Sequence, residues 1–173
     1  MKKIAVIYKS RYGATKQYAQ WIAHALQAEL FEASAVKPAQ LKDYDVAVYG
    51  GGLYAGGING VKLVAENPCK SLVVFTVGLA DPQITDYTEI LTKAFAPERL
   101  QKIKVFHLRG GVDYEKLSLV HKGVMAMVKK HAQKKPAAQR TSEDQGILET
   151  YGKKADFADK AATGPLVEYV RGL

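Results

Sequence analysis

Two hydroxyl side chains, one glycine and three cations stand close together directly after the first apolar segment of the chain. The residues are Lys9-Ser10-Arg11-Tyr12-Gly13-Ala14-Thr15-Lys16. A loop of this composition can present backbone N–H groups, hydroxyl donors and a helix N-terminus to one point, which suits a phosphate dianion. An ordinary turn between a strand and a helix is the alternative, because Ser and Thr commonly begin helices. We interpret residues 10–15 as a candidate phosphate-binding loop.

Apolar segments alternate with amphipathic ones along the first 109 residues. A short β-branched run without polar alternation is typical of a strand buried on both faces of a parallel sheet. Such runs predict strands at residues 4–8, 30–34, 45–49, 71–77 and 104–109. A period of 3.6 residues predicts helices from residue 15 and over residues 61–66 and 86–95. The pattern predicts an α/β fold with a doubly wound parallel sheet.

Three loops are expected to meet at one edge of this sheet, because ligands of such folds lie outside the carboxyl ends of the strands. The first is the candidate phosphate loop. The second follows Tyr49 and is rich in glycine over residues 50–60, which lets the backbone approach a flat ligand closely. The third comprises residues 78–82.

Other motifs in the sequence do not fit the context that their chemistry requires. The spacing Gly50-x-Gly52-x-x-Ala55 matches a dinucleotide fingerprint, but it follows the third strand, and residues 69–80 contain no acidic side chain to hold a ribose. The four histidines, including His121, show no metal-ligand spacing, so packing or solvation is the expected role of each and no metal is expected. No zinc-finger, RNP-type or helix-turn-helix pattern is present, so no nucleic-acid partner is expected.

The regular rhythm of the chain breaks at Gly110. A basic amphipathic helix is predicted beyond it, with one apolar face that comprises Leu117, Val120, His121, Val124, Met127 and Val128. Such a helix is a candidate for an anionic membrane surface or partner, and docking on the domain is the alternative. We expect a helical insertion over about residues 110–154, a resumed strand at residues 155–157 and a final helix after Pro165.

Length and composition favour one domain over residues 1–173, with an ordinary 47% hydrophobic and 24% charged content. The net charge of +8 implies attraction to something anionic without identifying it. No run is long enough to span a bilayer, so we expect a cytoplasmic protein that is at most peripheral to the inner face of the membrane. Composition does not indicate the oligomeric state.

The spacing Ser10-x-x-Gly13-x-Thr15 after a first strand resembles the phosphate loop of flavodoxins. The whole chain is similar to the flavodoxin superfamily, and more narrowly to the branch that includes the menaquinone-dependent protoporphyrinogen oxidase. The narrower resemblance depends on residues 10–15, residues 50–56 and the insertion beyond strand five. It implies a flavodoxin-like sheet of five parallel strands in the order 2-1-3-4-5.

This resemblance implies FMN as the cofactor. Its phosphate would be held by Ser10, Arg11, Tyr12, Gly13, Ala14 and Thr15. Its ring would lie beside Tyr54, between two further segments that comprise Gly51, Gly52, Leu53, Tyr54, Ala55 and Gly56 on one side and Gly78, Leu79 and Asp81 on the other. The resemblance is incomplete, because common flavodoxins place an aromatic residue in the third loop and are acidic.

We therefore expect an FMN-binding redox protein that transfers electrons to or from a redox partner protein or a quinone. One alternative is a protoporphyrinogen oxidase proper, and the other is a cofactor-free binding module that uses its basic insertion. No catalytic acid, base or nucleophile is identified. The insertion is expected to lie away from the three cofactor loops and to select an anionic membrane surface or a carboxylated substrate.

Overall fold

Five parallel strands form the centre of the molecule in a computed structural model that describes all residues 1–173. The strands along the chain are β1 (Ile4–Lys9), β2 (Glu29–Glu32), β3 (Val46–Tyr54), β4 (Gly57–Ile58), β5 (Leu72–Gly78), β6 (Lys104–Arg109), β7 (Gly111–Asp113) and β8 (Lys154–Asp156). The main sheet has the order β2-β1-β3-β5-β6, and short β4 pairs with β3 in antiparallel orientation. Counted over the parallel strands alone, this is the predicted order 2-1-3-4-5.

Helices cover both faces of the sheet. They are α1 (Ala14–Leu26), α2 (Lys62–Ala65), α3 (Thr88–Ala94), α4 (Pro97–Leu100), α5 (Leu119–Lys134), α6 (Ser142–Thr150) and α7 (Gly164–Gly172). On one face, α1 and α7 bury Tyr18 and Leu166 against Val48 and Phe75 of the sheet. The segments around α2, α3 and α4 cover the other face. The apolar strand runs are therefore buried on both faces, as the doubly wound prediction requires.

Strand register brings the ends of the central strands to one edge. Tyr8 of β1 lies opposite Gly50 of β3, and Gly50 lies opposite Phe75 of β5. A side chain at Gly50 would occupy the space of the Phe75 ring, so the absence of a Cβ lets the two strands pack here. The segments that follow β1, β3 and β5 consequently surround one region.

The third strand extends further than predicted. Gly51, Gly52, Leu53 and Tyr54 belong to β3 rather than to a loop, because they remain paired with β5 and β4. Only two residues form the turn to β4, Ala55 with φ 49° and Gly56 with φ 77°. Positive φ at both central positions is typical of a type I′ hairpin turn.

The insertion begins and ends in a ribbon of its own. β7 and β8 pair with each other in antiparallel orientation and form a separate two-stranded sheet. The resumed strand expected at residues 155–157 therefore does not rejoin the main sheet, and it begins at Lys154. The insertion also contains α6, which was not predicted and begins with a capping box between Thr141 and Asp144. No helix combines the length and the hydrophobicity needed to cross a membrane.

Candidate cofactor site

A cleft, called here the first chamber, opens at the carboxyl ends of β1, β3 and β5. Its wall joins the candidate phosphate loop to the ends of β3 and β5, to the segment after β6 and to α5. The lining residues are Ser10, Arg11, Tyr12, Ala14, Thr15, Gly52, Leu53, Tyr54, Asn59, Val77, Gly78, Leu79, Gly110, Gly111, Val112, Leu117, His121 and Met125. The predicted convergence of the three segments is confirmed.

The phosphate loop presents several donors that have no acceptor in the protein. Thr15 is only 4% exposed, yet its hydroxyl makes no hydrogen bond and lines the first chamber. The backbone N–H groups of Arg11, Tyr12, Ala14 and Thr15 donate to no carbonyl. The Gly13 N–H donates to Ser10 Oγ at 3.1 Å, and Gly13 adopts φ 102°, which favours glycine. Unpaired N–H groups at the start of a helix, beside two hydroxyls that line the first chamber, favour an anionic ligand here.

A second chamber adjoins the first. The two share Leu53, Tyr54, Gly78, Leu79 and Met125. The other residues of the second chamber are Ala55, Gly56, Ala80, Thr85, Asp86, Tyr87, Ile90, Val124, Val128, Glu143 and Ile147. Its only charged side chains are two carboxylates, and no cation lines it. The second chamber therefore suits an uncharged apolar molecule.

Arg109 stabilises the segment around Leu79, which lies between the two chambers. Its Nε donates to the Leu79 carbonyl oxygen at 2.8 Å, and its guanidinium lies 3.7 Å from the ring centre of Phe157. The Tyr18 hydroxyl donates in turn to the Arg109 carbonyl oxygen at 2.6 Å. Leu79 lies outside any regular element, since β5 ends one residue earlier, and these hydrogen bonds hold its backbone in place.

The insertion covers both chambers. Leu117, His121 and Met125 line the first chamber, and Val124 and Val128 line the second. The prediction that the insertion lies away from the cofactor loops is therefore wrong. The β7–β8 ribbon begins two residues after β6 ends, so both ends of the insertion are held beside the carboxyl edge of the sheet and its apolar helix face packs there.

The sequence family described as Flavodoxin domain matches residues 5–139. The chain belongs to the flavodoxin domain family. This match includes the phosphate loop, the ends of β3 and β5, and α5. The comparison with curated proteins found no match.

Solved structures with similar folds include other flavodoxins. A WrbA-like flavodoxin from Agrobacterium tumefaciens is 14% identical over 98% of this chain and 99% of its own, with a TM-score of 0.50. A flavodoxin from the domain Archaea is 19% identical over 62% of this chain and 82% of its own, with a TM-score of 0.46. A flavoprotein from Lactobacillus acidophilus, solved in complex with FMN, is 15% identical over 63% of this chain and 93% of its own, with a TM-score of 0.43. At these identities the similarity concerns the fold.

Family membership and the unpaired donors of the phosphate loop support FMN as the cofactor of this flavodoxin-domain protein. The hydroxyls of Ser10 and Thr15 and the N–H groups of residues 11–15 would hold its phosphate. Tyr54 and Leu79 would lie beside its ring. FMN supplies the redox chemistry when bound, while the protein supplies binding, orientation and electrostatics.

Most of the predicted site residues lie on the two chambers, but three do not. Gly13 shapes the phosphate loop from outside the first chamber. Gly51 is buried in β3, where a Cβ would collide with Ile58. Asp81 points away and accepts the Gln83 N–H at 3.0 Å. Direct contact between the lining residues and FMN stays a prediction.

His121 is one of the site residues that sequence reasoning missed, together with Asn59, Val77, Gly110, Gly111, Val112, Leu117 and Met125. Its Nε2 lies 3.0 Å from Nη1 of Arg11, its Nδ1 is hydrogen-bonded to the Tyr12 hydroxyl, and its ring centre lies 4.6 Å from that of Tyr54. Burial, together with the positive charge of Arg11, lowers the pKa of His121 from its ordinary value. A signal was present, because a histidine on the apolar face of a helix needs polar partners from another element.

Proposed function

We propose that this flavodoxin-domain protein is an FMN-dependent redox protein that passes electrons to an apolar acceptor of the quinone class. The observation that carries the proposal is the second chamber, which adjoins the first and lacks any cation. A planar uncharged ring loses little hydration there and gains contact with apolar walls. The unpaired donors of the phosphate loop support a bound cofactor over the alternative of a cofactor-free binding module.

The charges at the second chamber favour a quinone over a carboxylated substrate. Asp86 and Glu143 line it, and a carboxylated porphyrinogen would place further negative charges near them without a partner cation. The protoporphyrinogen oxidase alternative therefore has less support here than an acceptor without charge. In either case, Val124, Val128 and Ile147 from the insertion would exclude water from the acceptor.

The test compares acceptor reduction with cofactor binding. The FMN-loaded protein is reduced anaerobically and mixed with a water-soluble benzoquinone or naphthoquinone in a stopped-flow absorbance experiment. Val128→Asp should slow reoxidation by the quinone about tenfold or more, because it places a third carboxylate in an apolar wall. FMN affinity should stay within about threefold.

The matched control is Ile84→Asp, since Ile84 is 65% exposed and lies outside both chambers. It should leave the reoxidation rate at the wild-type value. Equal rates for Val128→Asp and the wild type would contradict the acceptor site. A stripped wild-type protein that fails to bind FMN would instead contradict the cofactor assignment and favour the cofactor-free module.

We also propose that the outer surface of α5 docks on an anionic membrane. Leu119, Val120 and Met127 are 86%, 73% and 74% exposed, which is unusual for apolar side chains that share one helix. Lys130 and Lys134 flank them, and α5 contains no acidic residue. Exposed apolar residues among lysines match the chemistry of an interfacial helix on anionic lipid. We define Leu119, Val120, Met127, Lys130 and Lys134 as the outer face.

Vesicle co-sedimentation tests this docking. Binding to vesicles with 30% phosphatidylserine should exceed binding to neutral phosphatidylcholine vesicles and should fall in high salt. The double variant Lys130→Glu/Lys134→Glu should lose binding about tenfold or more, at roughly 1 kcal/mol for each lysine removed. The control variant is Lys135→Arg, which keeps the positive charge. Charge reversal is avoided at this position because Lys135 forms an ion pair with Asp144 at 2.9 Å and supports the fold. Equal binding to both vesicle types would refute the proposal.

A further inference from the structure

His121 connects three elements that are distant in sequence. It lies on the first turn of α5, where its N–H donates to the Ser118 hydroxyl at 3.2 Å. Its side chain is 5% exposed and reaches Arg11 and Tyr12 of the phosphate loop and Tyr54 of β3. These contacts connect the insertion that covers the chambers to the loop that would hold the FMN phosphate.

The hydrogen bonds determine the protonation state of the imidazole. A guanidinium can only donate, so Nε2 must accept from Nη1 of Arg11 and cannot carry a proton. Nδ1 then carries the single proton of the neutral ring and donates to the Tyr12 hydroxyl. The Ser118 N–H donates to the same oxygen at 3.4 Å. The Tyr12 oxygen thus accepts from His121 Nδ1–H and from the Ser118 N–H. The hydroxyl proton of Tyr12 is free to donate into the first chamber, which Tyr12 lines.

We propose that His121 is a latch: its neutral imidazole holds α5 closed over the cofactor, and its protonation releases the insertion. A proton on Nε2 would remove the acceptor of the Arg11 bond and place two cations 3.0 Å apart. The charged or titratable protein groups that face the ring are Arg11 and Tyr12 from the phosphate loop and Tyr54 from β3, and among the protein's own groups no carboxylate compensates a second positive charge. His121 acts through Arg11 and Tyr12, so it is a positioning residue. The inference rests on the proposed binding of FMN.

The lowered pKa of His121 supports this latch. The ring stays neutral through the neutral pH range and gains a proton only at more acidic pH. The latch is therefore closed near pH 7 and is expected to open as the pH falls below the ordinary histidine range.

The test measures the rate at which FMN leaves the loaded protein, with excess apoflavodoxin as a trap for the released cofactor. At pH 7.5, His121→Ala should release FMN about tenfold faster, since two hydrogen bonds between the insertion and the loop are lost. His121→Gln should stay within about twofold, because its amide oxygen can accept from Arg11 and its NH2 group can donate to Tyr12. His131→Ala is the matched control, since His131 is an exposed histidine on the same helix, and it should match the wild type.

The pH dependence separates a latch from a merely structural side chain. The FMN phosphate itself gains a proton near pH 6, so both proteins should release FMN faster at pH 5.5 than at pH 7.5. The wild type should accelerate about fivefold more than His121→Gln, because only the wild type also protonates the latch. Equal acceleration in the two proteins, or wild-type release by His121→Ala, would overturn the proposal.

Two readouts on the FMN-free protein distinguish failure of the latch from failure of the proposed function. Nitrogen-15 NMR of the imidazole should show a neutral ring protonated at Nδ1 at pH 7.5. Amide hydrogen exchange over residues 119–134 should be faster in His121→Ala and unchanged in His131→Ala. A ring protonated at Nε2, or equal exchange in all three proteins, would refute the latch even if FMN binds. If the wild type binds no FMN, the proposed function fails and these two readouts still decide the latch.

Discussion

Thr15 carries the most specific chemistry of the cofactor site, because its side chain is buried and its hydroxyl has no partner in the protein. Thr15→Val keeps the shape and removes that donor. Loss of one hydrogen bond to a charged group costs about 1.5–3 kcal/mol, so FMN affinity should fall roughly ten- to a hundred-fold in calorimetry. Thr92→Val is the control, since Thr92 is exposed on α3 and bonds only to its own helix. Unchanged affinity in Thr15→Val would mean that the loop holds no phosphate.

The candidate phosphate loop could be placed between β1 and α1 from sequence because the positions of its residues depend on local structure. A strand, a four-residue turn and the first turn of a helix place Ser10, Gly13 and Thr15 together whatever the rest of the chain does. His121 could not be placed in the same way. Its contact with Arg11 spans 110 residues of sequence and depends on the path of the insertion, which no local pattern determines.

The two-residue turn between β3 and β4 contains a conformation that its sequence does not favour. Ala55 adopts φ 49°, which is costly for any residue with a Cβ. Ala55→Gly should therefore raise the free energy of unfolding by roughly 0.5–1 kcal/mol, measured by urea denaturation. Ala126→Gly should lower it by a similar amount, because Ala126 lies exposed inside α5. A loss of stability in Ala55→Gly would show that the turn conformation differs from the one described.

Element boundaries were predicted best where the pattern of apolar side chains marks the ends of an element. The apolar strands β1, β5 and β6 began and ended within one residue of their predicted positions. The end of β3 was missed because Gly50, Gly51 and Gly52 have no side chain to show alternation, although the backbone pairs there. Helix α6 was missed because its sequence is mostly polar, and it is defined by its capping box and its packing under α5.

The stability of the whole molecule should decrease on mild acidification because of His107. This side chain bonds to Thr76 at 2.6 Å and stacks on the Tyr87 ring at 3.5 Å, and burial lowers its pKa to about 4. The unfolded chain, with an ordinary histidine pKa near 6.5, binds more protons between pH 6.5 and 4, so stability is complete above this window and is lost as the pH falls through it.

Urea denaturation at pH 7, 6, 5 and 4 measures this loss. We expect the wild type to lose roughly 1–2 kcal/mol more than His107→Gln over this window, a value reduced for the partial exposure of the ring. His121 acts in the same direction, so His107→Gln should retain a smaller pH dependence rather than none. Parallel curves for the two proteins would contradict the buried neutral state of His107.

At the scale of the whole chain, the alternation of strands and helices was sufficient to predict a doubly wound parallel sheet, and the right-handed crossover rule limited its topology. The strand order itself came from the resemblance to flavodoxins. The alternation was insufficient to predict where the insertion lies. Each strand of the β7–β8 ribbon is only three residues long, and residues 111–113 pair with residues 154–156. This pairing holds both ends of the insertion beside the carboxyl edge of the sheet, and residues of α5 line the chambers.

Titration of the flavin-stripped protein with FMN and with riboflavin, followed by flavin fluorescence and calorimetry, is the most direct test of the central claim. The two ligands share the ring and differ in the phosphate, which the loop at residues 10–15 is assigned to hold. The account predicts saturable binding of one FMN per chain and an affinity for FMN at least about a hundredfold above that for riboflavin, because several charge-assisted hydrogen bonds depend on the phosphate. Absence of saturable FMN binding, or equal affinity for the two flavins, would contradict it.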